Sequence, residues 1–407
     1  MDDGGMVVPN TYVCLQTEHV KKFQCDGKSC QSLCCKGWGI AIDKAALKKY
    51  KKIKGKAGKE ILSHIKKKDE KHMIKLREDR SCPFLREDLL CSLQHDYGEE
   101  YLSDICRTYP RLIRAVNQLL ECSLSLTCPV AANLVLLQET PMEFEQVEFV
   151  TKEAMDVRVF QWSRGLVKLP ELQYASISLL QDRRFSIDQR LVILGFFLEH
   201  IQDTEDMEKW SDIVRFYASD DIAEQAPEMF RAIRFQPEHY LKSMFGLMEF
   251  LYGEKSKLHI WLDGLEDVTA VFGFTEDHLE IPVRQLLSSY EEHYPAAKNE
   301  LMDHYGYIFE NYLVNEFFAN MYPFRVEGNL VQNYGLFLLG YKLMEFILVA
   351  MRANRGASVD GETLVENISV FANFIDHTPK YLEAVREEAW KQGAGTTAFL
   401  KGLLQAE

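Results

Sequence analysis

A chain of 407 residues with 47% hydrophobic content is long enough for two or three domains with buried cores. Its formal net charge of −14 excludes a surface given over to non-specific nucleic-acid binding, which needs a basic face to neutralise phosphate. The opening MDDGGMVVPN holds two acids, no base and no following apolar run, so no secretory signal is expected and the chain is read as cytoplasmic.

In chain order, residues 1–22 read as an N-terminal extension, 23–140 as a cysteine-rich module and 141–407 as a helical domain. All ten cysteines lie at or before position 128, which marks the N-terminal part as a module of its own. GWGIAID reads as a short strand entering a turn, with Asp43 as N-cap of a helix over KAALKKYKK. From Ala41 to Arg80 there are thirteen Lys and two Arg against six acids, a local +9 that leaves −23 elsewhere. That run suits either a solvated helix pair or a docking face for an acidic partner. LIRAVNQLLECSLSL predicts two strands around an Asn-Gln turn, and CPVAANLVLLQ a helix with Pro129 in its first turn. TPMEFEQVEFVTKEA, polar and acidic, reads as a linker with one short strand-like run.

Beyond about residue 150 the periodicity is helical. Ser186 N-caps a segment whose Leu191, Ile193, Leu194, Phe197, Leu198 and Ile201 share one broad apolar face. Similar faces recur in PEHYLKSMFGLMEFLYG, DHYGYIFENYLVNEFFANMYPF and YGLFLLGYKLMEFILVAMR. In the last, Lys342 and Glu345 interrupt an apolar run too short to span a bilayer, so a core helix is expected and no membrane partner. No Gly-rich phosphate loop follows a strand, so a Rossmann-type cofactor fingerprint is absent. The expected fold class is mainly α, α+β overall, with a small mixed module ahead of a larger helical domain.

The cysteine spacing is Cys25-x4-Cys30-x3-Cys34-Cys35, then Cys82, Cys91, Cys106 and Cys128. Thiolates are soft, charged donors for zinc and iron, and a reducing compartment disfavours disulfides. Eight thiols exceed the needs of one tetrahedral zinc. Adjacent Cys34 and Cys35 diverge too far to share one ion easily, whereas a polynuclear cluster offers each a separate iron. Spacing alone leaves a metal site, disulfides and redox thiols all open. Cys14 stands outside the pattern, and Cys122 suits a plain strand position.

CPFLREDLLCSLQHDYGEEYLSDICRTYPRL followed by SLSLTCPVAA resembles the flagellin lysine-N-methylase family, a branch of a wider group of clustered-cysteine chelating proteins. CCKGWGIAID, YLSDICRTYPR and SLTCP resemble the flagellin branch in particular. QRLVILGFFLEHI, FENYLVNEFFANMYPF and FANFIDHTPKYL extend the resemblance through the helical half. It implies methylation of surface lysines on flagellin with S-adenosylmethionine as donor. It also implies an iron–sulfur cluster, expected as 4Fe-4S with zinc as the alternative, and metal ligands among Cys25, Cys30, Cys34, Cys35, Cys82, Cys91, Cys106 and Cys128. Cys14 and Cys122 match no family cysteine, and the lysine-rich run matches no family motif. The competing reading is a non-catalytic iron- or zinc-binding module fused to a helical interaction domain. Flagellin is the expected partner, and the oligomeric state is left open.

A lysine amine has a reference pKa near roughly 10.4, so it must shed a proton before it attacks a methyl sulfonium. Aromatic faces and carboxylates suit both cations. YGYIFENYLVNEFF supplies Glu310 and Tyr312 as candidate catalytic groups and Tyr307, Asn311 and Asn315 as candidate cofactor contacts, with Tyr305 close by helical spacing. The same residues suit plain core packing equally well. Asp376 and His377 end a helix before Pro379, and His377 is a third catalytic candidate, although such a pair also serves as a cap. The chain has C-x3-C-C where radical cleavage of the donor relies on C-x3-C-x2-C, so polar transfer is expected.

Overall fold

The computed structural model describes residues 11–26, 30, 33–36, 39–68, 70–116, 119–150, 158–159, 168–253, 262–273, 281–326, 328–377, 379–391, 399 and 402–406. The chain forms two compact units, residues 1–134 with 143–161 and residues 135–142 with 162–407.

The first unit is built on a five-stranded sheet in the order β7-β1-β6-β5-β8, where β1 is Thr11–Thr17, β5 Arg111–Val116, β6 Leu119–Leu124, β7 Phe144–Val150 and β8 Arg158–Val159. The expected hairpin forms between β5 and β6, antiparallel with Ile113 opposite Cys122. β1, drawn from the segment read as an extension, runs parallel to β6 on one side and antiparallel to β7 on the other. The stretch read as a linker is therefore an edge strand. Its alternation Phe144, Gln146, Glu148 was too polar to reveal a partner more than a hundred residues away. Cys14 and Cys122 are fully buried strand residues.

Between β1 and β5 the chain makes a second layer, a three-stranded sheet β2-β4-β3 of Ala41–Ile42, Lys71–Ile74 and Ile65–Lys68. With it come helices α1 His19–Lys22, α2 Lys44–Lys52, α3 Gly55–Ser63, α4 Ser92–Tyr97 and α5 Asp104–Thr108. Asp43 caps α2 as the sequence implies, its Oδ1 accepting from the Ala46 N–H at 2.8 Å while Oδ2 accepts from the Asp104 N–H at 2.9 Å. The apolar sides of α2 and α3 meet Ile40, Ile42, Ile74 and Phe84 in one core. α6, Pro129–Leu136, follows β6 in the chain.

The second unit is helical: α7 Leu169–Leu180, α8 Ile187–Asp203, α9 Trp210–Tyr217, α10 Asp221–Ala232, α11 Pro237–Gly253, α12 Leu262–Phe272, α13 Val283–Ala319, α14 Leu330–Arg355, α15 Gly361–His377 and α16 Pro379–Lys391. The mainly α class holds. Two capping boxes start the central helices, Ser186 with Gln189 on α8 and Asn329 with Gln332 on α14. α14 is long and apolar enough by composition to cross a membrane, but 94% of its most apolar window is buried inside the protein, which makes it the core helix expected. α13 is broken at Tyr305 (φ −130°, ψ 16°), so the helical spacing that placed Tyr305 near Tyr312 starts from a kink.

Candidate functional site

Four of the cysteines singled out from spacing gather in the core of the first unit, with Cys34 beside Cys35. Cys82 is buried there, with Cys35, Cys91 and Cys106 packed against it. The Cys82 N–H donates to the Cys35 carbonyl at 2.7 Å, and Lys36 bridges to Ser81, so a short backbone pairing brings two distant cysteine segments together. Cys34 and Cys35 hold their sulfurs 3.9 Å apart. A hydrogen bond between them pushes the Cys35 thiol up and the Cys34 thiol down. Burial raises Cys82 to about 11 and Cys106 to about 12, and also raises Cys91. Each of these groups feels the charge of its neighbours: Cys106 that of Cys91, Cys82 and Cys34, and Cys35 that of Cys82 and Cys91. Cys128, raised to about 11 by burial, feels Cys34 and Cys30. Cys25 is exposed and Cys30 half-buried, and none of the ten forms a disulfide.

Among the described residues no three His, Cys, Asp or Glu side chains converge closely enough to hold a single metal ion. In type the gathered thiols are donors suited to iron and to zinc alike.

In the second unit the helical candidates separate. Residues two apart on a helix point roughly 200° away from one another, and Glu310 and Tyr312 do so. Glu310 is 2% exposed. Its Oε1 accepts from Arg183 Nη2 at 2.9 Å, and its Oε2 accepts from Arg183 Nε at 3.0 Å and from Arg190 Nη1 at 2.7 Å. That carboxylate anchors α13 to the guanidinium groups around the start of α8. Asn311, fully buried, donates from Nδ2 to the Gln138 carbonyl at 2.7 Å, while its Oδ1 has no hydrogen-bond partner among the described residues. Asn315 is buried one turn on, and half-exposed Tyr307 lies near Glu139 and Tyr305.

Tyr312 faces a different group. α13 ends in a Schellman turn, the Tyr322 N–H donating to the Phe317 carbonyl at 3.0 Å and the Met321 N–H to the Phe318 carbonyl at 3.3 Å. Met321 occupies the left-handed position (φ 57°) that glycine usually takes, and its side chain is buried. The turn folds Tyr322 back onto Phe317 and Phe337, with ring centroids 6.0 and 5.1 Å apart. Arg325 lies over the Tyr322 ring at 5.6 Å, donates to its hydroxyl at 3.3 Å and approaches Glu316 Oε2 at 3.8 Å. Asn320 Nδ2 donates to the same Glu316 oxygen at 2.9 Å. From α16, Tyr381 packs on Phe371 and Phe374 of α15 and buries a hydroxyl that has no hydrogen-bond partner among the described residues.

These groups share one electrostatic neighbourhood. Burial holds Tyr312 well above an ordinary phenol, and the Glu316 carboxylate pushes the same way, with Tyr381, Tyr322 and Arg325 also in range. Burial raises Tyr381 and Tyr322 as well. The three phenols therefore stay protonated at neutral pH, leaving the carboxylates as proton acceptors. Arg325 also feels Asp376, so the two stretches selected from sequence, one on α13 and one ending α15, meet here. Of His377 only the backbone, as the last residue of α15, is described. Sequence reasoning missed Glu316, Tyr322, Arg325 and Tyr381. The i,i+4 spacing of Glu316 from Tyr312 was the one local signal for any of them.

A second buried group went unrecognised except as charges interrupting an apolar run. Lys342 Nζ bonds Asp188 Oδ1 and, at 2.8 Å, Glu345 Oε2; Lys298 Nζ bonds Asp188 Oδ2 at 2.6 Å. Tyr341 donates to Glu345 Oε1 at 3.0 Å. Two cations and two anions balance, and this network ties α8, α13 and α14 together.

The model of the FliB lysine N-methylase C-terminal domain matches residues 173–403, which lie within the helical unit. The flagellar biosynthetic protein FliU of Salmonella muenchen is 31% identical over 152 residues, 36% of this chain and 90% of that protein. The lysine-N-methylases of Salmonella choleraesuis and Salmonella typhimurium are 30% and 29% identical over 189 residues, 45% of this chain and 46% of each relative. The chain thus spans about half the length of the lysine-N-methylases it matches. No solved structure matches it. With more than half of its length matched by the family model, the chain belongs to the FliB lysine N-methylase family.

Proposed function

We propose that this protein transfers a methyl group from S-adenosylmethionine to surface lysines of flagellin, and that the aromatic and acidic group around Tyr312 receives the amine. The observation that carries the reading is the buried Tyr381 hydroxyl, left without a partner beside Tyr312, Tyr322, Glu316 and Arg325. A buried polar group in that state has hydrogen-bonding capacity left for a ligand or a water. Ring faces attract an incoming ammonium, and Glu316 is placed to accept its proton through water, with Arg325 and Asn320 holding the carboxylate in position. Nitrogen then forms its bond to the methyl carbon as the carbon–sulfur bond breaks and the sulfur leaves with the electron pair. The sulfonium donor supplies the electrophilic methyl when bound, and Tyr307, Asn311 and Asn315 are the proposed contacts to it. The free Oδ1 of Asn311 supports that assignment. Glu310, placed among the catalytic candidates on sequence, takes the anchoring role described above.

The cysteines of the first unit are proposed to hold an iron–sulfur cluster, its four thiolates drawn from among Cys25, Cys30, Cys34, Cys35, Cys82, Cys91, Cys106 and Cys128. The cluster would fix that unit's fold, and no step of the transfer is assigned to it. The test is kinetic, on full-length protein with purified flagellin and labelled donor. Glu316→Gln should lower kcat by roughly 10²–10⁴-fold, the usual share of a general base. Glu316→Gln and Tyr381→Phe variants that both turn over at the parental rate would overturn the site assignment.

A further inference from the structure

The lysine-rich run of the first unit has no part in the site above and lies outside the residues that the family model matches. The structure folds it into α2, α3 and the β3–β4 hairpin, whose apolar residues Leu47, Tyr50, Ile61 and Ile74 turn into the core. Twelve of the thirteen lysines between Ala41 and Arg80 are exposed, and the thirteenth, Lys49, donates to the Glu100 carbonyl at 2.6 Å. Among the described residues no ion pair joins any of these lysines to a carboxylate; the ion pairs of this unit involve other residues. Two of the segment's acids serve the backbone instead, Asp43 capping α2 and Asp79 bonding the Ser81 N–H and hydroxyl.

The arrangement works against local stability. On α2, Lys44 and Lys48 are four apart, as are Lys48 and Lys52, spacings at which like charges repel. In the hairpin, Lys68 stands directly opposite Lys71. Lys54, the N-cap of α3, and Lys56 in its first turn sit at the end of a helix that disfavours cations. A face that only had to be solvated would gain by mixing signs, as the rest of this chain does. Among the described residues no carboxylate pairs with these lysines, which leaves their charge available to an external partner.

We propose that the lysine face docks an acidic face of the protein substrate, a proposal that rests on the reading of the chain as a protein methyltransferase. Size and charge both favour a protein. A nine-residue helix is about 13 Å long and a four-residue strand about the same, the scale of one partner's share of a modest interface. A nucleic acid would run off this patch onto a chain carrying −23 elsewhere and be repelled, whereas a compact acidic patch is not. Docking of this kind chiefly sets encounter rate and salt dependence.

The experiment titrates purified flagellin into the full-length protein at 50 and 200 mM salt, with transfer to a short uncharged lysine peptide measured separately. The variant combines Lys66→Glu, Lys67→Glu, Lys68→Glu and Lys71→Glu. The proposal expects Kd for flagellin to rise about tenfold with salt in the parent and about tenfold in the variant at low salt, with the peptide rate unchanged. Should the hairpin variant lose the parental melting transition, Lys44→Gln, Lys48→Gln, Lys51→Gln and Lys52→Gln on α2 replace it and should weaken binding in the same sense. Kd values that ignore both charge and salt overturn the proposal. So does tight binding of a 20-mer oligodeoxythymidine that the variant loses while flagellin affinity stays put, which would make the face a nucleic-acid site. Normal docking with no transfer to flagellin or peptide leaves the docking face standing and removes the methyltransferase reading.

Discussion

Replacing Glu310 by glutamine asks whether this buried carboxylate anchors α13 or takes a proton in the reaction. Its oxygens accept from Arg183 and Arg190 at distances from 2.7 to 3.2 Å. Glutamine keeps the shape but removes the charge and turns an amide N–H toward a guanidinium. The Arg190 side chain is 9% exposed, so it becomes a buried cation without a counter-ion, eased by the Phe185 and Leu180 carbonyls it already reaches at 2.8 and 3.1 Å. Breaking a buried pair costs about 3–5 kcal/mol, and those carbonyls place the loss near the lower end. Arg183, 42% exposed, adds about 0–1 kcal/mol because solvent screens it. The sum, about 3–4 kcal/mol, should lower the melting temperature of the helical unit by roughly 10 °C. Urea unfolding followed by tryptophan fluorescence, with Trp210 buried in that unit, measures it, and a double-mutant cycle with Arg190→Met isolates the pair. A loss below about 1 kcal/mol would refute the anchoring account. An unchanged melt with abolished transfer would return Glu310 to the catalytic set.

Three further outcomes follow from the same structure. Glu121, 1% exposed on β6 and without a hydrogen-bond partner among the described residues, is pushed up to about 7 by burial, with Arg114 pulling the other way. A raised carboxylate favours the fold fully below its unfolded pKa and loses that contribution as pH rises through 7, so Glu121→Gln should stabilise the protein by about 3 kcal/mol at pH 8 and by almost nothing at pH 4. Melting curves at the two pH values check this, and equal shifts at both would contradict it. Asp188 is held near 2, burial opposing and Lys298 and Lys342 prevailing; its contribution of about 2 kcal/mol should persist above pH 4 and vanish as pH falls through 2, a loss that Asp188→Asn abolishes in acid titrations followed by circular dichroism. In anaerobically purified protein, Cys82→Ser or Cys91→Ser should remove the visible absorbance expected of bound iron and sulfide, whereas Cys14→Ser should keep it; equal colour in all three would remove those cysteines from the ligand set.

What the sequence revealed was what local chemistry controls. Asp43 and Ser186 announce their helices because a cap is read within three residues, and α14 because its apolar run has no other home. The grouping of Cys82, Cys91 and Cys106 with Cys34 and Cys35 was legible as thiol chemistry, while their arrangement depends on the backbone pairing at Cys35 and Cys82. β7 was read only as a strand-like run in a linker because its pattern is polar and its partner β1 lies far away in sequence. Glu310 and Tyr312 were both catalytic candidates on sequence, and helix geometry sends them to opposite sides of α13. Tyr381 had no signal of its own: its burial comes from α15, and its unpaired hydroxyl exists only once both helices are folded.

The central claim is methyl transfer to lysine, and peptide mapping of flagellin by mass spectrometry tests it most directly. After anaerobic incubation with isotopically labelled S-adenosylmethionine and the full-length protein, labelled methyl groups should appear on lysine side chains of flagellin, and the Glu316→Gln protein should leave them nearly unlabelled. Flagellin recovered without label from the parental, iron-loaded protein would contradict the account.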